Sequence, residues 1–212
     1  MLSAASCAPT VQPGPSPALE ASKEQGTDAG PQDSPATTSS DVGPAGIILY
    51  CRHRGEIHLL LANDRLGRRG WGGFVGGNKE GETTAQTAAR ETSEETRGFY
   101  DADWLRKKIA GQKPVRQWGC SFYFLEVAHV PAKRIMDHPI PLLNLAYMET
   151  QHYAWVPFSE IEPLLTKARL TEADLRLHPR HLQRSSRSKS YWRVWIDNLR
   201  RMHLKDAFPW TR

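Results

Sequence analysis

The 212-residue sequence contains no run of about 18 apolar residues, so nothing in it reads as a membrane-spanning helix. Cysteine is scarce. Cys7, Cys51 and Cys120 lack the spacing of metal ligands, and the last two lie in apolar stretches. They read as buried thiols, with a single disulfide left open. His53, His58, His152 and His203 show no paired spacing, which argues against a histidine metal centre. No internal repeat is visible.

Residues 1–44 lack something else: any aromatic side chain and any apolar period. Ala, Pro, Ser, Gly and Thr dominate there, and such a segment cannot bury enough surface to offset its ordering entropy. The expected organisation is a disordered tail over 1–44 and one folded domain over 45–212, which holds every Trp, Tyr and Phe. Small residues before Cys7 look like the end of a bacterial lipoprotein signal, but the basic start and apolar stretch of such a signal are missing. The expected compartment is the cytoplasm, with a truncated lipoprotein-like start as the alternative. The formal charge of +5 suits an anionic partner or substrate without requiring one. Oligomeric state is not legible.

In the folded part, "AGIILYCRHRG" and "EIHLLLAND" read as two strands joined at Gly55. "GWGGFVGGNKEGE" is too glycine-rich for a helix. Thr83 with Gln86 three residues on makes a capping box, so a helix should run from there to about Arg97, with Gly98 as its left-handed exit. "DADWLRKKIAG" suggests a short second helix. "QWGCSFYFLEVAHV" and "QHYAWVPF" read as strands, and Ser159 is placed to cap a helix through "EIEPLLTKA". Trp192, Trp195, Ile196 and Leu199 have the spacing of a closing amphipathic helix. Strands before and after an embedded helix give the expected class, α/β (α+β): an α/β/α sandwich with a mixed sheet.

The helix after the glycine loop carries the chemistry. At 100° per residue, Glu91, Glu94 and Glu95 share an arc of roughly 100°. Ala85, Ala88, Ala89, Thr92 and Thr96 form the adjoining flank, small enough to press on a sheet. Like charges at this spacing repel, by roughly 0.2–0.5 kcal/mol per pair. Three carboxylates on one face make a hard-oxygen site suited to Mg²⁺, or to Mn²⁺. The flexible glycines allow a backbone carbonyl to join it, and Arg90 is placed to fork a glutamate. A cation held by few protein ligands binds phosphate oxygens, the equipment for splitting a phosphoanhydride.

Gly76, Glu82 and Arg90-Glu91-Thr92-Ser93-Glu94-Glu95 stand at the fixed positions of G-x5-E-x7-R-E-U-x-E-E-x-G-U, so the stretch Gly76 to Gly98 resembles the box of the Nudix hydrolase family. Thr92 stands at the aliphatic position, and Arg97 stands where the box has its final glycine, with Gly98 one residue late. The resemblance implies a Nudix-like fold and metal-dependent attack of water on a nucleoside diphosphate linked to another moiety. It implies Glu91 and Glu95 as the most direct ligands of Mg²⁺ or Mn²⁺, with Glu94 supporting them and Gly76 or Gly77 lending a carbonyl. Arg90 orients the glutamates, and Glu82 anchors the loop to the helix. The general base is Glu91 or, from a later loop, Glu149.

Trp71 and Phe74, beside the glycine loop, are candidates to meet the substrate; Tyr191, Trp192 and Trp195 could stack on a base, but their helical spacing favours core packing. Basic residues from Arg176 to the C-terminus, Arg187 among them, read as a solvated face, or as a grip on a polyphosphate or an RNA backbone. Two rival readings follow. One is a cap or RNA 5′-end pyrophosphohydrolase; the other is a non-catalytic nucleotide-sensing domain.

Overall fold

The computed structural model describes residues 42–67, 69–141 and 144–211; the tail expected over 1–44 lies outside them up to position 41. Strands β1 (Ala45–His53) and β2 (Glu56–Asp64) form the expected antiparallel hairpin. Arg54 and Gly55 turn it with φ of 52° and 79°. Two positive values in succession are what a two-residue type I′ turn requires.

Successive side chains of a strand point to opposite faces, and here both faces are apolar. Ile47, Leu49 and Cys51 of β1 enter one core cluster while Ile48 and Tyr50 enter the other. The same alternation runs through β2, β5 (Cys120–Glu126) and β6 (Thr150–Pro157). A sheet of this kind has to be covered on both sides. Helices α1 (Thr84–Glu95), α2 (Ala102–Ile109) and α3 (Ala132–Met136) cover one face through Ala88, Leu105 and Ile135. On the other, α4 (Phe158–Thr166) and α5 (Arg193–Leu204) bring Ile161, Trp195 and Leu199. Each fully buried aliphatic side chain contributes about 1.5–3 kcal/mol relative to exposure.

The sheet is mixed. Its order is β3-β2-β1-β5-β4, with β3 (Trp71–Gly72) and β4 (Val115–Gln117) at the edges and β6 also paired to β2. Only β1 and β5 run parallel among the paired strands. The expected α/β/α sandwich is the observed architecture.

Some local expectations change. The segment taken as one strand from Gln117 onward is a hairpin: Trp118 and Gly119, with φ of 46° and 77°, reverse the chain between β4 and β5. Ser159 does not cap α4. Pro157 occupies the N-cap position, and the Ser159 hydroxyl donates to the Glu56 carboxylate instead. Pro163 lies further into that helix than its first turn.

Helix α1 stops at Glu95, short of Arg97. Arg97 itself adopts the left-handed conformation at φ 60°, followed by Gly98 at 77°. The Gly98 N–H donates to the Ser93 carbonyl at 2.7 Å and the Arg97 N–H to the Glu94 carbonyl at 3.1 Å. These two bonds form a Schellman exit. The helix therefore ends at the register of the motif, with arginine bearing the strain that glycine would avoid. Cys51 and Cys120 are free thiols. No helix of the described residues is long and apolar enough to cross a membrane.

Candidate active site

Helix α1 begins with the anticipated capping box: the Gln86 N–H donates to the Thr83 hydroxyl, and the Thr83 N–H to the Gln86 side chain. Its small flank lies on the sheet, with Ala88, Thr92 and Thr96 fully buried. Thr84 pairs with the Tyr123 hydroxyl at 2.9 Å. From β6, the Tyr153 hydroxyl donates to the Glu95 carbonyl at 2.7 Å and fixes the helix end. With that face pinned, the glutamates can only project toward the glycine loop.

Arg90 is the hub. Its Nε and Nη2 fork the two Glu82 oxygens at 2.6 and 2.9 Å. Its Nη1 donates to Glu91 at 2.7 Å and Glu94 at 2.9 Å, and Nη2 also reaches the Gly77 carbonyl at 2.7 Å. Glu82 further accepts from the Lys79 N–H and the Thr87 hydroxyl. The Arg90 fork, ahead of the other contacts, holds the Glu82 carboxyl down at about 2. Loop and helix are thus tied by charge-assisted bonds at the positions that the sequence assigns to this task.

Gly76 has a strict reason to be glycine. A Cβ at this position would lie 2.1 Å from the Glu91 carboxylate. The same residue exchanges two hydrogen bonds with Ala45 at the start of β1, 3.0 and 3.2 Å long. The strand thereby seats the loop directly against the Glu91 carboxylate.

Glu91 and Glu95 lack the compensation that Glu82 enjoys. Burial, ahead of the opposing Arg90, pushes the Glu91 carboxyl up. Glu95 accepts from the Val75 N–H at 3.1 Å, and burial followed by the Glu91 charge pushes it up to about 8. Two desolvated carboxylates, one of which raises the other, suit a hard divalent cation, which would replace their repulsion by attraction.

The expected gathering of three carboxylates is not observed. Among the described residues, no three acidic, histidine or cysteine groups converge closely enough to hold one ion. Glu94 is drawn to Arg90 and to Lys79, the latter at 3.5 Å. Of the carbonyls, that of Gly77 accepts one bond from Arg90 and that of Gly76 one from Ala45, so each keeps a second lone pair.

Comparison with known proteins bears on this arrangement. The family model described as NUDIX domain matches residues 43–178. The chain belongs to the Nudix family. It is a Nudix pyrophosphohydrolase. Similar solved structures include a C. elegans Ap4A hydrolase in a binary complex, 20% identical over 55% of this chain and 80% of that one, with a TM-score of 0.38. A Nudix hydrolase from M. smegmatis, RenU, is 17% identical over 81% of this chain and 91% of its own, at 0.40. The NUDIX domain of Shewanella oneidensis NrtR, crystallised with ADP ribose, is 14% identical over 61% and 81%, at 0.36. Comparison with curated proteins gives no match.

Beside the box, this Nudix domain has a cavity of about 590 Å³. Glu95 and Glu149 both line it, so the later-loop glutamate singled out in the sequence faces the same space as the helix glutamate. Glu149 follows a 3₁₀ turn (Leu145–Met148), and its carbonyl accepts from the Arg65 N–H at 2.6 Å. Trp71 and Phe74 do not meet the cavity. They are 0% and 2% exposed, one in each core cluster, and the Trp71 indole N–H is spent on the Ser188 carbonyl. Neither ring has a free face.

Arg65, Arg69, Arg187 and Trp192 line the cavity; in the sequence, Arg187 and Trp192 are only the less favoured alternatives for substrate contact, and Arg65 and Arg69 are not singled out. The basic stretch "DRLGRRG" before the glycine loop was the available signal for the first two. Trp192 arrives from far along the chain, carried by a parallel bridge between Trp71 and Tyr191 and by its own N–H to the Trp71 carbonyl at 2.7 Å.

Proposed function

We propose that this Nudix pyrophosphohydrolase cleaves a phosphoanhydride bond in a nucleoside diphosphate linked to another moiety, using Mg²⁺ or Mn²⁺. The observation that carries the reading is the pair Glu91 and Glu95. Both carboxylates are desolvated, the Glu91 charge raises Glu95, and Glu95 lines a cavity that also holds Arg65, Arg69 and Arg187.

Glu91, Glu95 and the Gly76 carbonyl are the donors that fit the cation, with Glu94 held in reserve by Arg90. When bound, the cation supplies positive charge against the phosphate oxygens and the charge that develops on the leaving group. Arg90 fixes Glu91 so that no side-chain entropy is lost at the moment of reaction. Val75 keeps one oxygen of Glu95 engaged and leaves the other free. Glu149, exposed on the cavity wall, is the better placed of the two candidate bases to take a proton from the attacking water. Glu91, the first expectation, already has one oxygen on Arg90 and its carboxylate against Gly76.

The test is hydrolysis of a panel containing ADP-ribose, dinucleoside polyphosphates, nucleotide sugars and nucleoside triphosphates, with Mg²⁺ or Mn²⁺, scored by the phosphorylated products released. Glu95→Gln should abolish most turnover in whichever substrate is cleaved. Parental rates in that variant would overturn the assignment. Glu149→Gln should lower kcat with little effect on KM; an unchanged kcat returns the base to Glu91.

A further inference from the structure

Several arginines of the described residues are held in ion pairs. Arg90 is fully engaged in the box. In the basic C-terminal part, Arg180 pairs with Glu160, Arg193 with Glu172 and Arg200 with Asp197. Arg65 and Arg187 reach the cavity from two distant segments of the chain. Among the described residues, the side chains of Arg65 and Arg187 have no carboxylate partner. Their placement is nonetheless specific. Gly67, at φ 67°, lies so close that a Cβ there would be 2.7 Å from the Arg187 Cβ, and Trp71 holds the neighbouring Ser188 carbonyl. Side chains positioned by the backbone but left without an anion are arranged for an anion from outside.

Trp192 supplies the second half. It is half-buried, and the Cβ position of Gly72 lies 3.3 Å from its six-membered ring, so one side of the indole rests on the strand backbone. The Arg69 guanidinium stands over the ring at 5.6 Å from the centroid. Arg69 is exposed and its charge also reaches Glu95, which places this pair beside the reacting end of the cavity. Rotation of the exposed arginine would clear this ring face for a third flat ring. The indole N–H makes no hydrogen bond among the described residues and is left as a donor for such a ring. Trp195, one helical turn on, is 1% exposed and fills the core, whereas Trp192 packs against the edge of that core and also lines the cavity.

Resting on the hydrolase reading above, we propose that Trp192 and Arg69 clamp the nucleobase of the substrate, with Arg65 and Arg187 gripping its phosphate chain. The volume of about 590 Å³ is in the range of small-molecule sites. Stacking of a base on an aromatic ring is tolerant of base identity. The clamp therefore selects for nucleotides over base-free diphosphates, and only weakly among bases.

The experiment is calorimetric titration of the full chain in EDTA, where hydrolysis does not consume the ligand, with ADP, GDP, CDP, UDP and ribose 5-diphosphate. The expected result is tighter binding of the nucleotides, by about tenfold. Trp192→Ala removes that preference, Trp192→Phe keeps most of it, and Arg65→Ala or Arg187→Ala weakens all five ligands alike. Equal binding of ADP and ribose 5-diphosphate by the unaltered protein overturns the clamp, as does a preference that survives in Trp192→Ala. Should Trp192→Ala melt early, Arg69→Ala and Trp192→Leu take its place under the same criteria. Failure of the clamp leaves the Glu95→Gln result untouched; full hydrolysis by Glu95→Gln overturns the reaction assignment without altering the binding preference.

Discussion

Replacing Arg90 by alanine removes a guanidinium that makes five hydrogen bonds, to Glu82 twice, to Glu91, to Glu94 and to the Gly77 carbonyl. The groups left behind are poorly solvated. Side-chain exposure is 18% for Glu82, 17% for Glu91 and 10% for Glu94. An exposed ion pair contributes no more than about 1 kcal/mol. Breaking a buried pair costs about 3–5 kcal/mol, because an uncompensated charge stays behind. The residual exposure here places Arg90→Ala at the low end, about 3 kcal/mol. That is a large part of the 5–15 kcal/mol typical of a domain. With a urea slope of about 2 kcal/mol per molar, the midpoint should fall by roughly 1.5 M at unchanged slope. Arg90→Lys keeps a charge but loses the fork, and should recover only about 1 kcal/mol.

The pH dependence gives an internal check. Glu82 has a folded pKa lowered to about 2, from the Arg90 fork first. A lowered acid pKa contributes stability that is fully present above the unfolded value near 4.5 and is lost as pH falls toward 2. The stability gap between parent and Arg90→Ala should therefore be widest above about pH 5 and narrow toward pH 2. A midpoint within about 0.2 M of the parent at neutral pH, or a gap independent of pH, would refute the view that this network carries the loop.

Gly76→Ala drives its Cβ into the Glu91 carboxylate, and the flexible end of that side chain must yield; turnover should drop by about 100-fold while the fold persists by circular dichroism. In EDTA, Glu95→Gln should melt higher than the parent above about pH 8 and alike near pH 4. The raised carboxyl, at about 8, holds stability below its unfolded value near 4.5 that is lost as pH rises through 8; a parent that melts higher at pH 9 would contradict this. Deleting residues 1–41 should leave the melting temperature and turnover unchanged, since among the described residues the core clusters are built from 45 onward; a clear loss of either would place the tail within the domain.

Local patterns in this chain were legible where one element decided the outcome. The Thr83 capping box, the Gly55 turn and the small flank of α1 depend on residues a few positions apart, and each formed as the sequence implied. The α1 exit misled because local preference yielded to the Schellman bonds: Arg97 pays the left-handed cost that an αL position imposes on a side chain. Trp118 in the β4–β5 turn is the same case, a bulky residue at positive φ hidden inside an apolar run. Glutamate convergence was only half legible. Helical angles placed three carboxylates on one face, but they do not reveal that Arg90 and Lys79 turn Glu94 away.

Proximity along the chain also misassigned the aromatic residues. Trp71 and Phe74 adjoin the glycine loop, yet the pleat of a sheet buried on both faces sends each into a core. The bridge between Trp71 and Tyr191 then brings Trp192 to the space that Trp71 leaves, 121 positions later in number but one hydrogen bond away. A helical period read Trp192 and Trp195 together as core. In fact Trp192 is the N-cap residue of α5, before the period begins, and is free to face the cavity. The box and the cavity are thus specified differently: the former by spacing within a single helix and loop, the latter by the pairing of segments that sequence spacing does not relate. Substrate selectivity in this domain should accordingly respond to changes around Gly67, Arg187 and Trp192 that leave the box and its hydrogen bonds intact.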